Sequence, residues 1–95
     1  SQYHIDVAFI SCIGFNLKHG ASEGYEEQAL YKELLVEMAK EVILLIDSTK
    51  FEMQSEYYFA SVESVDHIVT DSLVDPEIVA EIRRRGIKLT IADVP

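Results

Sequence analysis

Apolar positions along the chain fall into short β-branched runs and longer runs with a helical repeat. Residues 3–10, YHIDVAFI, are rich in β-branched and aromatic types and predict a first strand. Residues 42–46, VILLI, are apolar at every position, which is typical of a strand covered on both faces of a parallel sheet. A third strand is predicted over residues 65–71. The alternating pattern of residues 87–94 predicts a last strand with one wetter face, near a sheet edge.

Two segments carry the signals of helices. Residues 25–40 have apolar side chains every three or four positions, so one stripe of the helix is expected to face the sheet. The members of this stripe and its immediate neighbours are Leu30, Leu34, Met38, Tyr31 and Leu35. The second helix is predicted in residues 75–86, where Asp75 caps the start, Pro76 occupies the first turn and Gly86 follows the end.

The segments between these elements complete the order of the fold. Residues 16–24, NLKHGASEG, predict a loop, and residues 51–64 an irregular connection with room for one short strand. Ninety-five residues suffice for one unit and not for two independent cores. The order strand, helix, strand, connection, strand, helix, strand predicts a layered α/β fold, with a mostly parallel sheet and flanking helices.

Composition narrows the classes of function. Eight Lys plus Arg against seventeen Asp plus Glu give a net charge of −9, which disfavours direct contact with nucleic-acid phosphates. The longest apolar run, VILLI, is far shorter than a membrane span, so we expect no membrane association. The single Cys12 fits a reducing, cytoplasmic location. We expect no cofactor and no metal, because His4, His19 and His67 lack the spacing of metal ligands.

Three of the predicted strands end in polar clusters, at residues 11–12, 47–50 and 70–72. The carboxyl ends of parallel strands meet at one edge of a sheet, where ligands of α/β proteins bind. A lysine there can hold a phosphate or carbonyl oxygen, and an aspartate can accept from sugar hydroxyls. The pattern therefore predicts a site for a small anionic ligand. The alternative interpretation is that these Asp and Ser residues only make turns.

Several candidate residues have structural alternatives of their own. Lys50 is the strongest candidate for an anion contact, but it could instead pair with Glu52 on the surface. Asp6 precedes VAFI and could be a pocket acid or a structural one. Cys12 could be a nucleophile, although a small buried thiol is favoured because no base lies near it in the sequence. Lys32 lies five residues beyond another helical charge and, taken alone, is indistinguishable from a solvated one.

In this arrangement the chain resembles the effector-sensing domain of the DeoR family of bacterial transcriptional regulators. That family has an Asp-x-Ala-Phe segment before a glycine turn, Gly-Leu-Thr, a Glu-x-Ala-x-x-Lys helix, Asp-Ser-Ser-Lys-Phe-Gly and a Thr-Asp strand end. The matching positions here are Asp6, Ala8, Phe9, Gly14, Gly20, Ser22, Glu27, Ala29, Lys32, Asp47, Ser48, Lys50, Phe51, Thr70 and Asp71. Ser11, Ile13 and Glu52 depart from the family pattern at the mouth of the expected pocket.

The resemblance implies a fold similar to ribose phosphate isomerase and the CoA transferases, used to sense a phosphorylated sugar or related catabolite. The implied effector-binding residues are Asp6, Gly14, Glu27, Lys32, Asp47, Ser48 and Lys50. A DNA-binding helix-turn-helix domain and the first half of the sensor, with its phosphate loop, would precede Ser1. Residues 1–95 are then the C-terminal portion of a homo-oligomeric, cytoplasmic regulator that reaches DNA only through the preceding domain.

Two other functions stay open at this point. A sugar-phosphate aldose–ketose isomerase could use the same fold, with a carboxylate such as Glu27 as its base. A free-standing small α/β interaction domain is the third possibility. Half of a sandwiched sheet would also leave apolar surface uncovered, so we expect the isolated chain to self-associate or to bind ligand poorly.

Overall fold

A computed structural model describes residues 4–93 of the chain. Its strands are β1 (Ile5–Ile10), β2 (Gly14–Asn16), β3 (Gly20–Glu23), β4 (Ala39–Leu45), β5 (Tyr57–Ala60), β6 (His67–Asp71) and β7 (Lys88–Ala92). Its helices are α1 (Glu26–Met38) and α2 (Pro76–Arg84), with 3-10 turns at Ser48–Lys50 and Val62–Ser64. Tyr3 and Val94, which were predicted to belong to the first and last strands, lie outside the described residues.

Four strands form a parallel sheet in the order β1-β4-β6-β7. Each crossover advances in the same direction, and right-handed crossovers of that kind place α1 and α2 on the same face of the sheet. Ala29 of α1 and Ile82 of α2 accordingly share one buried cluster with the strand residues. The predicted layered, mostly parallel α/β fold is confirmed, as is the edge position of the last strand.

The prediction of a loop at residues 16–24 is wrong, because most of this segment belongs to a β-hairpin. β2 and β3 pair antiparallel, and β5 joins them in a second sheet of three strands. Asn16 builds the hairpin turn by accepting hydrogen bonds at Oδ1 from the backbone N–H groups of Lys18 (3.1 Å) and His19 (2.6 Å). Gly20 follows at φ +96°, a conformation that favours glycine. Strands of three and four residues are too short to show an alternating pattern, so the sequence did not indicate them.

Only one face of the parallel sheet is covered within the described residues. Alternate residues of neighbouring parallel strands point to opposite faces, and Val42 and Leu44 lie buried towards the helices. On the other face Phe9 is 65% exposed and Leu45 is 43% exposed. The expectation that the VILLI strand is covered on both faces is therefore wrong for residues 4–93. Such an open apolar face is what the expected self-association requires, and self-association itself stays a prediction.

The predicted inward stripe of α1 is wrong for Leu30, Tyr31 and Leu34, whereas Leu35 does pack against the core. Leu30, Tyr31 and Leu34 are 55%, 63% and 56% exposed. The helix instead turns Ala29 into the core, with Val36 packed beside it. The small alanine side chain lets the helix lie close to the strands, and a second apolar stripe is left outside. The helix also ends at Met38, so the predicted extension to residue 40 belongs to β4.

The second helix follows its sequence signals closely. Asp75 Oδ1 accepts a hydrogen bond of 2.8 Å from the N–H of Glu77, and Pro76 occupies the first position of the helix. The side chain of Ile82, on the inner side of this helix, is completely buried. Gly86 follows the last turn at φ +80°, and the chain then enters β7. The predicted cap, helix and terminating glycine are confirmed.

Candidate functional site

The carboxyl ends of β1, β4 and β6 bring the three polar clusters to one edge of the parallel sheet. We call residues 11–12, 47–50 and 70–72 the carboxyl-end rim. The backbone N–H of Ser48 donates a hydrogen bond of 2.8 Å to Asp71 Oδ2, and this bond joins the second cluster to the third. The same N–H and the N–H of Leu73 hold the pKa of the Asp71 carboxyl below its ordinary value.

Lys50 is held at the rim by the turn that contains it. Its Nζ lies 3.0 Å from Asp47 Oδ2 and 3.4 Å from Thr49 Oγ1, and about a third of the side chain is exposed. The surface pair with Glu52, which was the structural alternative, does not occur; the partner is Asp47. An ammonium group has three donors, and two are engaged here, so the group retains capacity for an incoming anion.

Asp47 has the structural role that the turn interpretation assigns to it. Its Oδ1 accepts a hydrogen bond of 2.8 Å from the N–H of Thr49 and a further one from the Thr49 hydroxyl. These bonds, with the contact from Lys50, lower the pKa of the Asp47 carboxyl to about 2. The carboxylate is thus ionised at neutral pH, and its exposed side can accept from ligand hydroxyls.

Lys32 of α1 is anchored beneath the rim. Its Nζ donates to the carbonyl oxygen of Ser11 at 2.7 Å and to Glu23 Oε2 at 2.5 Å, and lies 5.6 Å from the centre of the Phe59 ring. The Lys32 side chain is 18% exposed and that of Glu23 only 5%. Sequence reasoning missed Glu23, because a carboxylate in a predicted loop carries no signal of burial. The pair ties helix α1 to the carboxyl end of β1.

Cys12 lies buried between these lysines and is not a thiolate. Burial raises the pKa of the thiol to about 12, against the opposing influence of the Lys32 and Lys50 charges. The structure therefore supports the buried-thiol interpretation over a nucleophile. Each of the two lysines is paired with a carboxylate, Lys32 with Glu23 and Lys50 with Asp47.

Two further residues shape the rim. A side chain at Gly14 would place its Cβ 2.6 Å from the carbonyl oxygen of Met53, so only glycine allows β2 to pack against the segment that follows Phe51. Thr70 is buried at the end of β6, and its hydroxyl has no hydrogen-bond partner among residues 4–93. Buried hydroxyls are seldom left unpaired, so a ligand or water is the natural partner for this one.

Not all the predicted site residues come together. Asp47, Ser48 and Lys50 form one turn of the rim, with Lys32 below them. Asp6 is exposed in the first half of β1, 3.9 Å from the Lys40 ammonium, and has no contact with the rim. Glu27 is exposed in the first turn of α1 and makes no rim contact either.

Two cavities lie away from the rim. One of about 610 Å³ is bounded by Val62, Asp66, Arg85 and Ile87, at the amino ends of β6 and β7. The other, of about 390 Å³, lies beside the β2–β3 hairpin. Neither is lined by a rim residue.

No group of three His, Cys, Asp or Glu side chains in residues 4–93 is arranged to hold a metal ion. No helix in that range is long and apolar enough to cross a membrane.

Comparison with known proteins places the chain in a family. The model of the DeoR C terminal sensor domain matches residues 1–72. An uncharacterized HTH-type transcriptional regulator, YulB of Bacillus subtilis, is 35% identical over 93% of this chain and 34% of its own length. The HTH-type transcriptional repressor GlcR of the same organism is 31% identical over 98% of this chain and 36% of its own. The HTH-type transcriptional regulator GlpR of Haloferax volcanii is 32% identical over 95% of this chain and 34% of its own length.

The chain spans about a third of the length of these curated relatives. The match to the family model covers most of the chain, including β1, α1 and the whole carboxyl-end rim. With the rim geometry and these relatives together, the chain belongs to the family of DeoR-type transcriptional regulator sensor domains.

Proposed function

We propose that this chain is the effector-binding part of a cytoplasmic transcriptional regulator, and that a phosphorylated sugar or related catabolite binds at the carboxyl-end rim. The observation that carries the proposal is the Lys50 ammonium, held at the end of β4 beside the ionised Asp47 carboxylate. Lys50 contacts the phosphate, and Asp47 accepts from the sugar hydroxyls. In an otherwise acidic chain, the partly exposed Lys50 ammonium gives the rim a cationic group that an anion can contact.

The share of its relatives that the chain covers supports a site that is completed by other parts of a longer protein. The chain corresponds to about a third of its relatives, whose names describe HTH-type regulators. We propose that residues 1–95 are the C-terminal portion of such a regulator, and that the opposite wall of the site and the DNA-binding domain lie outside them. Effector binding then shifts the population of the DNA-binding conformation, with no contact between DNA and this chain.

A sensor without catalytic activity fits the relatives, which are transcriptional regulators. An isomerase needs a carboxylate free to take a proton next to the substrate. Glu23, the carboxylate beneath the rim, is instead held by Lys32. The rim carboxylates Asp47 and Asp71 accept backbone hydrogen bonds that lower their pKa values, which makes them weak bases. An isomerase assay of the full-length protein with pentose and hexose phosphates checks this point. Turnover at ordinary enzyme rates would contradict a sensor-only function.

The binding proposal is tested by thermal shift of the full-length protein against a panel of sugar phosphates. A specific ligand raises the melting temperature by mass action. Lys50→Gln removes a charged hydrogen bond of about 1.5–3 kcal/mol, so the affinity for the best ligand should fall by about 10- to 100-fold. Lys88→Gln, which removes an exposed lysine on the edge strand β7, is the matched control and should leave the affinity unchanged. Equal affinities for both variants would refute binding at the rim.

A further inference from the structure

The outward side of α1 carries an apolar patch that the effector site does not use. Leu30, Tyr31 and Leu34 are each more than half exposed on adjacent turns of the helix. Their spacing of three and four residues places them on one side. We call these three residues, with the exposed Glu27, Glu33 and Glu37, the outer face of α1. Large apolar side chains grouped in this way on a surface mark an interaction site.

The position of this face separates it from the uncovered side of the sheet. α1 packs on the covered side through Ala29 and Val36, so its outer face points away from the strands. Phe9 and Leu45 lie on the opposite side of the sheet. A segment that covers only those two residues therefore lies across the sheet from Leu30 and Leu34 and leaves the outer face of α1 exposed.

Charge restricts what that occupant can be. Glu27 lies one turn before Leu30 and Tyr31, and Glu37 lies one turn after Leu34. Glu33 lies beside them along the helix. A second copy packed face to face about a twofold axis would bring these carboxylates against their own equivalents, which is unfavourable. An amphipathic helix with apolar anchors and flanking Lys or Arg residues complements both the apolar centre and the acidic ends.

We infer that the outer face of α1 docks a basic amphipathic helix from the DNA-binding domain of the same regulator. The inference rests on the proposed function, which supplies that domain. DNA-binding domains are rich in Lys and Arg because they neutralise phosphates, so they carry the charge that this face selects. The inner side of α1 reaches the rim through the bond from Lys32 to the Ser11 carbonyl. One helix thus contacts the effector rim on its inner side and the DNA-binding domain on its outer side.

The docking is tested by crosslinking the full-length regulator with a carbodiimide, which joins carboxylates to lysines that are already in contact. Mass spectrometry then identifies the partners of Glu27, Glu33 and Glu37. The expected result is crosslinks from these residues to lysines of the DNA-binding domain. Crosslinks only to lysines of the sensor domain, in the same or in a second copy, or none from these residues while other carboxylates react, would overturn the inference.

Matched variants separate docking from effector binding. Leu30→Ser combined with Leu34→Ser should reduce the α1 crosslinks at least fivefold, whereas Leu73→Ser, at an apolar side chain 75% exposed elsewhere, should not. The double variant should keep its thermal shift with a sugar phosphate, and Lys50→Gln should show a smaller shift but keep the crosslinks. A second route, Glu27→Lys with Glu37→Lys, leaves the apolar residues in place and should also weaken the remaining crosslinks from Glu33. Crosslinks unchanged in both outer-face variants would contradict docking at this face.

Discussion

The two helices of this chain pack on the same side of one sheet but differ in how they are specified. α2 starts at a side-chain cap, places Ile82 in the core and ends before Gly86. α1 has no side-chain cap at Tyr25. Its apolar residues occupy two sides, so the outward side keeps large apolar groups. In α2 the local signals agree with one another, whereas in α1 only tertiary contacts select the face.

The contacts that select the face of α1 are polar as well as apolar. Lys32 points inward to the buried Glu23 and to the Ser11 carbonyl. The ion pairs of α2, from Glu81 to Arg84 and Arg85, lie on the surface. A lysine in the middle of a helix is normally taken as solvated, and here it anchors the helix. The difference shows that a charged residue can fix a helix orientation when its partner is buried.

The largest change in stability is expected from the loss of the buried ion pair between Lys32 and Glu23, compared with the loss of a surface ion pair of α2. Lys32→Met leaves the Glu23 carboxylate buried without a counter-charge, which should cost about 3–5 kcal/mol of unfolding free energy. Arg84→Met removes an exposed pair and should cost no more than about 1 kcal/mol. Urea unfolding followed by circular dichroism measures both. Similar small costs would mean that Lys32 does not determine the orientation of α1.

The next largest difference in unfolding free energy is expected between a buried aliphatic residue of α2 and an exposed one of α1. Ile82→Ala removes a completely buried side chain of α2 and should cost about 2–5 kcal/mol. Leu34→Ala, in the exposed stripe of α1, should change the unfolding free energy by no more than about 0.5 kcal/mol. The same unfolding experiment compares them. A large loss of unfolding free energy in Leu34→Ala would show that Leu34 is buried, as the sequence pattern predicted.

A smaller effect concerns the caps of the two helices. Asp75→Ala removes the bond to the N–H of Glu77 and should cost about 1 kcal/mol. Tyr25 already has the extended backbone of a cap but no capping side-chain bond, so Tyr25→Asp should stabilise α1 by about 0.5–1 kcal/mol. Thermal unfolding of the two variants gives both signs. A destabilised Tyr25→Asp variant would show that the tyrosine ring has a contact of its own in the complete protein.

The smallest expected effect is a pH dependence at the rim turn Ser48–Lys50, which Asp47 caps. This turn lies outside both helices. The pKa of Asp47 is lowered from 3.8 to about 2, so the bonds it accepts contribute fully above pH 4 and are lost as the pH falls towards 2. Carboxyl NMR of Asp47 should show this low midpoint. In Lys50→Gln the midpoint should rise, because one of the lowering contacts is removed. A midpoint near the ordinary value in the unsubstituted protein would exclude the turn geometry.

Much of the candidate site followed from the sequence. The polar clusters after three predicted strands did assemble at one edge, because parallel strands direct their carboxyl ends together. The role of Lys32 as an anchor did not follow, since its partner Glu23 lay in a segment that looked like a loop. That segment forms a hairpin, and its second strand, β3, pairs with β5, which lies more than thirty residues further along the chain. Pairings of that sequence separation leave no local pattern to detect.

The sequence by itself determined the order of the four parallel strands and the two helices, the limits of α2 and the polar ends of the strands. These depend on backbone preferences, caps and short apolar runs, which act over a few residues. The tertiary structure alone decided which side of α1 is buried, that a second sheet exists, and that one sheet face stays open within residues 4–93. Each of these depends on which distant segment is available to cover an apolar surface or pair a buried charge, and local pattern does not contain that information.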